Sequence, residues 1–125
     1  MDNLEADRPG GEQKEGIMII EHLGFVSPPD RRIDLYKALF ASLGPTRVKP
    51  GCVGCNLFQD SDTKTYHLES RWETTEDLIR HIRSDAYKRL LLLMELGADA
   101  PSIEFFTVSE VRGLDFIEAA RDCRV

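Results

Sequence analysis

Apolar residues along the chain follow two different spacings, one typical of strands and one typical of helices. Residues 17 to 26 are almost continuously apolar and rich in β-branched side chains, which predicts a strand covered on both faces. Between residues 33 and 43 the apolar positions recur in steps of three and four, and this spacing predicts a helix that ends at Gly44 and Pro45. The predicted apolar face of that helix consists of Ile33, Leu35, Tyr36, Leu39, Phe40 and Leu43.

Two further strand segments follow, joined by a short polar turn at residues 60 to 62. In the first, residues 52 to 59, we expect Val53, Cys55 and Leu57 to share one face. The short connection predicts a β-hairpin. The second segment, residues 64 to 73, alternates: one face carries Tyr66, Leu68, Ser70 and Trp72, and the other carries Thr65, His67, Glu69 and Arg71.

A second helical region begins at Thr74, a typical N-cap residue, and Ser84 indicates a break or a second cap within it. A last apolar segment, residues 103 to 111, contains Phe105 and Phe106 and predicts the final strand. The order β-α-β-β-α-β is that of an α+β ferredoxin-like fold, in which helices cover one face of a four-stranded antiparallel sheet.

The length of 125 residues suits a single domain. Residues 1–16 carry almost no large apolar side chain, so we expect a flexible N-terminal tail there. Residues 17–112 would form the domain, and residues 113–125 a C-terminal extension with a short helix.

Some strands carry apolar residues on both faces, notably at residues 17 to 20 and at Phe105 and Phe106. Because the helices cover only one face of such a sheet, the apolar residues on the other face need a different cover. A second copy of the chain is the simplest cover, and the pattern therefore predicts a homodimer through the sheet face.

The formal net charge of −6 argues against a nucleic-acid partner, because binding to phosphates requires a basic surface. The longest uninterrupted apolar run, residues 90 to 94, is too short to span a membrane. No basic segment followed by an apolar one opens the chain, so a signal peptide is not expected. These features predict a cytoplasmic protein that binds neither nucleic acid nor membranes.

The chain contains three cysteines, and this odd number without a secretory signal favours free thiols. Cys52 and Cys55 form a CxxC motif, but no second Cys/His pair follows at the spacing of a zinc site. A redox motif would lead into a helix, whereas this one leads into a predicted strand. We therefore predict no metal site, and the pattern favours a structural role for Cys52 and Cys55 over a redox role without deciding whether they ever oxidise.

Two segments of the sequence resemble the antibiotic biosynthesis monooxygenase family. The first, residues 49 to 55, reads Lys-Pro-Gly-Cys-Val-Gly-Cys and is similar to the turn that enters the family's second strand. The second, residues 66 to 73, resembles the family's strand that ends in an aromatic residue. It is followed, as in the family, by a helix with a histidine and by a Ser-x-x-aromatic step: Leu78, His81, Ser84 and Tyr87. The resemblance spans about residues 17 to 112.

The resemblance implies a dimeric α/β barrel with a pocket between the sheet and the helices of each subunit. Active members of the family oxidise quinols, hydroxylated polyketide aromatics or related electron-rich rings with dioxygen and use no bound metal or flavin. Their substrate anion can itself donate an electron to dioxygen, so the protein supplies an apolar pocket and a few polar groups. Relatives of this fold that degrade haem use a histidine on the last long helix, where this chain has Leu91, and this argues against haem chemistry.

His81 and Trp72 are the candidate catalytic residues. Trp72 shares a strand face with Tyr66 and Leu68, which suits a flat aromatic ligand, although ordinary core packing is the alternative. His81 could accept a proton from a phenol, and the alternative is a helix histidine bonded to backbone or to a carboxylate. The sequence does not decide which face His22 takes. Candidate substrate-binding residues are Tyr66, His22, Asn56, Leu68, Phe105 and Tyr87.

The leading hypothesis is a cofactor-independent monooxygenase that acts on a small quinol or phenolic aromatic. One alternative is a non-catalytic dimeric protein of the same fold that binds a small ligand. The other is an acid–base enzyme, an isomerase or decarboxylase, that uses His22 or His81 in the same pocket.

Overall fold

A computed structural model of the chain describes residues 16–62 and 64–122. Its four strands form one antiparallel sheet in the order β2-β3-β1-β4, and the main helices pack on one face of it. This arrangement confirms the predicted α+β ferredoxin-like fold. The predicted tail, residues 1–16, lies outside the described residues except for Gly16. The elements are β1 Met18–Val26, a 3₁₀ turn Pro29–Arg31, α1 Arg32–Ala41, α2 Leu43–Arg47, β2 Cys52–Asp60, β3 Thr65–Trp72, α3 Thr75–Ile82, α4 Asp85–Met94, β4 Ser102–Val108 and α5 Leu114–Asp122.

The central strands β1 and β3 define the two faces of the sheet. β3 alternates as predicted, with the side chains of Tyr66, Leu68, Ser70 and Trp72 all buried against the helices. In β1 the residues at odd positions lie on the same covered face, because Glu21 pairs with Ser70 and Leu23 with Leu68. The even positions of β1 point to the other face, here called the open face.

The covered face holds a core with two parts. The larger part is apolar and includes Leu23 and Phe25 from β1 and Leu39 from α1, each at most 1% exposed. The smaller part contains Ile19, Trp72 and Leu78. Burying one such large side chain contributes about 1.5–3 kcal/mol, so the larger part supplies most of the stability. Polar groups accumulate beside the smaller part.

The first helix differs from its prediction in two ways. It ends at Ala41, where Ser42 follows, and a short second helix α2 then contains Gly44 and Pro45. Pro45 is tolerated because it lies in the first turn of α2, where its missing N–H would have no helical partner. The buried face is also narrower than predicted, since Ile33, Tyr36 and Phe40 are exposed.

A β-bulge at the start of β2 changes which face of the sheet its residues point to. Cys52 pairs with Trp72 and Gly54 pairs with the next residue of β3, Arg71, so Val53 has no partner. Such an extra residue interrupts the period of two. Val53 is consequently 52% exposed, and the prediction that it shares a face with Cys55 and Leu57 was wrong.

The open face carries apolar side chains with little cover from the described residues. Phe58 and Phe106 are each about half exposed there, and Ile20 of β1 pairs directly with Phe106 of β4. Helix α5 also exposes its apolar residues Leu114, Phe116 and Ile117. The described residues include no helix long and apolar enough to cross a membrane. The homodimer remains a prediction.

Candidate functional site

The chain enters β2 through a tight turn at residues 49 to 52. The backbone N–H of Cys52 donates to the carbonyl of Lys49 at 3.1 Å, and Gly51 has a φ of +83°. Pro50 at the second position and a glycine with positive φ at the third are the requirements of a type II turn. A Cβ at residue 51 would also collide with the side chain of Asp77. The Pro-Gly-Cys motif thus fixes Lys49 beside α3.

Helix α3 is held in register by its first turn. Thr74 accepts a hydrogen bond from the backbone N–H of Asp77 at 3.1 Å, which confirms Thr74 as the N-cap. His81 then lies in the last turn of α3, and Ser84 caps α4 by accepting from the N–H of Tyr87 at 3.2 Å. Two caps ten residues apart therefore position His81 and Tyr87 against the sheet.

Glu21 is the centre of a buried polar network on the covered face. Its side chain is enclosed, with the residue only 1% exposed, and it accepts hydrogen bonds from Tyr87 at 2.6 Å and from Ser70 at 2.9 Å. The indole N–H of Trp72 donates in turn to Ser70 at 2.8 Å. Burial raises the pKa of Glu21, an effect that the hydrogen bonds and the charge of Lys49 partly oppose.

His81 lies between this network and the turn at Lys49. Its ring stacks on Trp72 with centroids 4.6 Å apart and meets the edge of Tyr87 at 5.1 Å. Its Nε2 lies 3.9 Å from Oε1 of Glu21. Burial, and secondarily the charge of Lys49, lower the pKa of His81 to about 4, so the imidazole is neutral at physiological pH.

The ammonium of Lys49 connects the network to the cavity. Its Nζ lies 2.9 Å from Nδ1 of His81 and donates to Ser84 Oγ at 2.9 Å. An ammonium can only donate, so Nδ1 of His81 accepts and the ring proton resides on Nε2, facing Glu21. Burial, with the charge of Arg89 adding to it, lowers the pKa of Lys49.

A cavity of about 180 Å³ opens beside these residues. Asp77 and Arg80 at its edge form an ion pair at 2.8 Å. A smaller cavity of about 90 Å³ lies elsewhere, between the first helical segment and the end of α4, and none of the network residues lines it. The larger cavity is lined by Lys49, Pro50, Trp72, Asp77, Arg80, His81 and Ser84.

The structure brings three of the predicted site residues together: His81, Trp72 and Tyr87. Tyr66 and Leu68 belong to the larger apolar part of the core, toward the other end of β3. These two are buried on the covered face but do not line the larger cavity.

The other three predicted residues lie farther from the network. Phe105 pairs with Glu21 across β1 and β4, but it is 46% exposed and does not line the cavity. His22 and Asn56 both pair with Glu69 of β3, which places them on the open face, away from the cavity. His22 bonds there to His67 at 3.0 Å.

Sequence reasoning missed Glu21 and Lys49. Glu21 lies in an otherwise apolar strand. It occupies an odd-numbered position of β1, as do Ile19, Leu23 and Phe25, all of which are buried. An acidic residue on the buried side of a strand requires hydrogen-bond partners. The odd-numbered position of Glu21 was therefore the sequence feature that could have indicated its burial. Lys49 belonged to the recognised turn motif, but only the structure places its ammonium against His81.

Metal and thiol chemistry find little support in the described part of the chain. Within residues 16–62 and 64–122, no three His, Cys, Asp or Glu side chains form a group that could hold a metal ion. Cys52 and Cys55 are free thiols. Burial raises the pKa of both, to about 12 for Cys55, which disfavours the reactive thiolate.

Comparison with known proteins identifies the fold family. Residues 18–91 match the family model described as antibiotic biosynthesis monooxygenase. A Mycobacterium tuberculosis protein of known structure is 22% identical, with a TM-score of 0.68 over 78% of this chain and 98% of its own. A candidate antibiotic biosynthesis monooxygenase from Deinococcus radiodurans is 16% identical, with a TM-score of 0.69 over 77% and 97%.

A second candidate antibiotic biosynthesis monooxygenase, from Caulobacter crescentus, is 23% identical and has a TM-score of 0.65 over 78% of this chain and 93% of its own. At these identities the similar structures establish the fold alone. No curated protein matches the sequence.

Proposed function

The chain belongs to the antibiotic biosynthesis monooxygenase family, and we propose that it is a cofactor-independent monooxygenase that oxidises a small quinol or phenolic aromatic with dioxygen. The observation that carries this proposal is the cavity beside Lys49 and the stacked rings of Trp72 and His81, with the buried carboxyl of Glu21 behind His81. An aromatic wall suits a flat ring, and the polar network behind it can handle a proton.

The chemistry requires no external reductant. When a phenol becomes a quinone, a ring C–H becomes a C=O, and the substrate gives up four electrons, which is the number that dioxygen accepts. One oxygen atom enters the product and the other leaves as water with the two hydrogens removed from the substrate. Deprotonation of the phenol makes the ring electron-rich enough to give the first electron to dioxygen, so the protein must favour the anion.

The residues behind the cavity form a proton relay in this proposal. Lys49 reaches the cavity, neutral His81 accepts from it at Nδ1, and the Nε2–H of His81 faces Glu21. Because an ammonium has no lone pair, Lys49 gives one of its protons to Nδ1 of His81 as it takes the proton of the phenol, so the phenolate remains in the cavity and the proton ends on His81.

Oxygen consumption by chelator-treated protein tests the proposal. We expect saturable uptake above autoxidation with at least one member of a panel of quinols and hydroxylated aromatics. His81→Gln and Trp72→Phe should each lower the rate at least tenfold, while Lys37→Met, a change at an exposed position of α1, should leave it unchanged. Turnover that persists without oxygen would indicate an acid–base enzyme instead.

A non-catalytic ligand-binding protein is the second candidate. The contacts that both ring nitrogens of His81 make within the protein favour it. Both ring nitrogens of His81 face protein groups, and a pKa of about 4 makes the imidazole a weak base. No uptake across the panel, together with a ligand that quenches the fluorescence of Trp72, the single tryptophan, would establish this candidate.

We propose further that the protein is a homodimer through the open face. Two large apolar side chains on that face, Phe58 and Phe106, are each about half exposed in the single chain, and a second copy would bury them. Ile20→Lys should convert the dimer to a monomer in light scattering, whereas Val48→Lys, at an exposed position outside the sheet, should not. Monomeric wild-type protein would refute the dimer.

A further inference from the structure

We infer that Lys49 selects the ligand of this cavity, and that the ligand is a single-ring phenol bound as its anion. The inference rests on the proposed site and goes beyond it, because it names the charge state and the size of the ligand and the residue that chooses them. Three observations carry it: the charge around the cavity, the free donor of Lys49, and the cavity volume.

The lining of the cavity carries one positive charge, that of Lys49, which forms no ion pair with another lining residue, in a chain whose formal net charge is −6; Glu21 acts on it only at longer range. Asp77 pairs with Arg80 at 2.8 Å and also accepts from Thr74 at 2.9 Å, so these two opposite charges compensate each other. Lys49 has no carboxylate within 4.0 Å among the residues that the structure describes. A partly buried ammonium without a counter-ion attracts an anion more strongly than a solvated one does.

The ammonium of Lys49 has one donor to offer. Of its three N–H groups, one points to Nδ1 of His81 and one to Ser84. Ser84 itself donates to the carbonyl of His81 at 2.7 Å, so its geometry is fixed and holds Lys49 in place. The third N–H has no partner among the described residues, and Lys49 lines the cavity, so this donor is available to a phenolate oxygen.

The volume of the cavity matches a ligand with one aromatic ring. An apolar cavity of about 150 Å³ is known to hold benzene, and this one measures about 180 Å³. A benzene ring with one or two small substituents fits that space. Trp72 and Pro50 supply apolar surface for such a ring.

Lys49 also acts as a positioning residue for His81. Its ammonium donates to Nδ1 and thereby holds the ring in the tautomer that presents Nε2–H to Glu21. Replacing Lys49 by methionine would keep the aliphatic stem but release Nδ1. The expected consequence is a change in the ring-nitrogen NMR signals of His81, which a purely space-filling role for Lys49 would not produce.

Calorimetric binding of a matched pair of probes, 4-nitrophenol and its methyl ether 4-nitroanisole, tests the inference. We expect wild-type protein to bind the phenol about tenfold tighter than the ether once the phenol is ionised, and affinity to rise with pH through that ionisation. Other groups near Lys49 can also titrate or alter the electrostatic potential in the cavity. They are Glu21, Cys52, Asp77, Arg80, His81 and Arg89. The ether, measured over the same pH range, reports their contribution separately.

Three variants complete the experiment. Lys49→Met should bind the two probes equally, Lys49→Arg should keep most of the preference for the anion, and Lys37→Met should behave as wild type. Circular dichroism and thermal melting confirm that each variant is folded, and Lys49→Gln replaces Lys49→Met if the latter is not.

Equal binding of both probes to wild-type protein, an undiminished preference in Lys49→Met, or no detectable binding of either probe would each overturn the inference. The outcome is separable from the proposed reaction. Anion-selective binding without oxygen uptake supports Lys49 and contradicts the oxygenase, whereas oxygen uptake with equal binding of the two probes does the reverse.

Discussion

Glu21 and His22 are neighbours in β1, but they lie on opposite faces of the sheet and differ in how well their polar atoms are hydrogen-bonded. Glu21 lies on the covered face, 1% exposed, with hydrogen bonds to both carboxylate oxygens. His22 lies on the open face beside His67, and its Nδ1 is 3.9 Å from Glu104, too far for a hydrogen bond. The Glu21 network on the covered face satisfies its carboxylate within the chain, whereas the open face leaves Nδ1 of His22 and Nε of Arg71 without partners among the described residues.

The difference indicates separate tasks for the two faces. A fully bonded buried network holds its members in one geometry, which is what a binding or catalytic site requires. An apolar face with unsatisfied nitrogen atoms is instead suited to be covered by another molecule. We therefore assign the chemistry to the covered face and the association of subunits to the open face, and the predictions below test that division.

The largest expected effect comes from Trp72, which is fully buried on the covered face. Trp72→Ala should lower the free energy of unfolding by about 3–5 kcal/mol, because it creates a cavity and removes the indole bond to Ser70. Denaturant titration measures this loss, which should not depend on protein concentration.

Phe106→Ala on the open face is the matched comparison, since Phe106 is 47% exposed in the single chain. Its effect should grow as the protein concentration is raised into the range where dimers form. If both variants showed the same loss at every concentration, the two faces would not differ in the way we describe.

The second effect is a pH dependence caused by His81. Its pKa is lowered from 6.5 to about 4, so between these values the unfolded chain binds more protons than the folded one. Stability is therefore complete above about pH 6.5 and falls by up to roughly 3 kcal/mol as the pH drops through about 4. Urea titrations across this range should show the slope in wild type and a flatter profile in His81→Gln. An identical slope in the variant would assign the acid sensitivity to other groups.

The third and smallest effect concerns the hydroxyl of Tyr87. Tyr87→Phe leaves Oε2 of Glu21 without its donor, which should cost about 1–3 kcal/mol of stability. Tyr36→Phe, at a residue 41% exposed on α1, should change the stability by less than about 0.5 kcal/mol. Thermal unfolding compares the two variants directly, and equal effects would show that the Glu21 network contributes no stability.

The sequence predicted those features that depend on a regular period. The alternation of β3 assigned Ser70 and Trp72 to the covered face correctly, and the order of elements predicted the fold. Features that interrupt a period were not predictable in the same way. The bulge at Val53 and the separate short helix α2 that contains Pro45 each depend on local geometry that hydrophobic spacing does not report.

The sequence indicated candidate site residues only where the residue type itself implies a chemical role. His81 and Trp72 became candidates in this way, and the structure places their ring centroids 4.6 Å apart. The contribution of Lys49 depends on a turn that brings it to a residue 32 positions later in the chain, a contact that local patterns do not contain. The burial of Glu21 also depends on the packing of α3 and α4 over β1, which only the folded structure supplies.

Isotope labelling is the most direct test of the central claim that this cavity performs cofactor-independent oxygenation. Chelator-treated protein would be incubated under ¹⁸O₂ with the panel member that gives the highest uptake, in parallel with His81→Gln. We expect one ¹⁸O atom in each product molecule, formed by wild type at a rate at least tenfold above the variant. Product without the label, or labelled product formed equally fast by the variant, would contradict the claim.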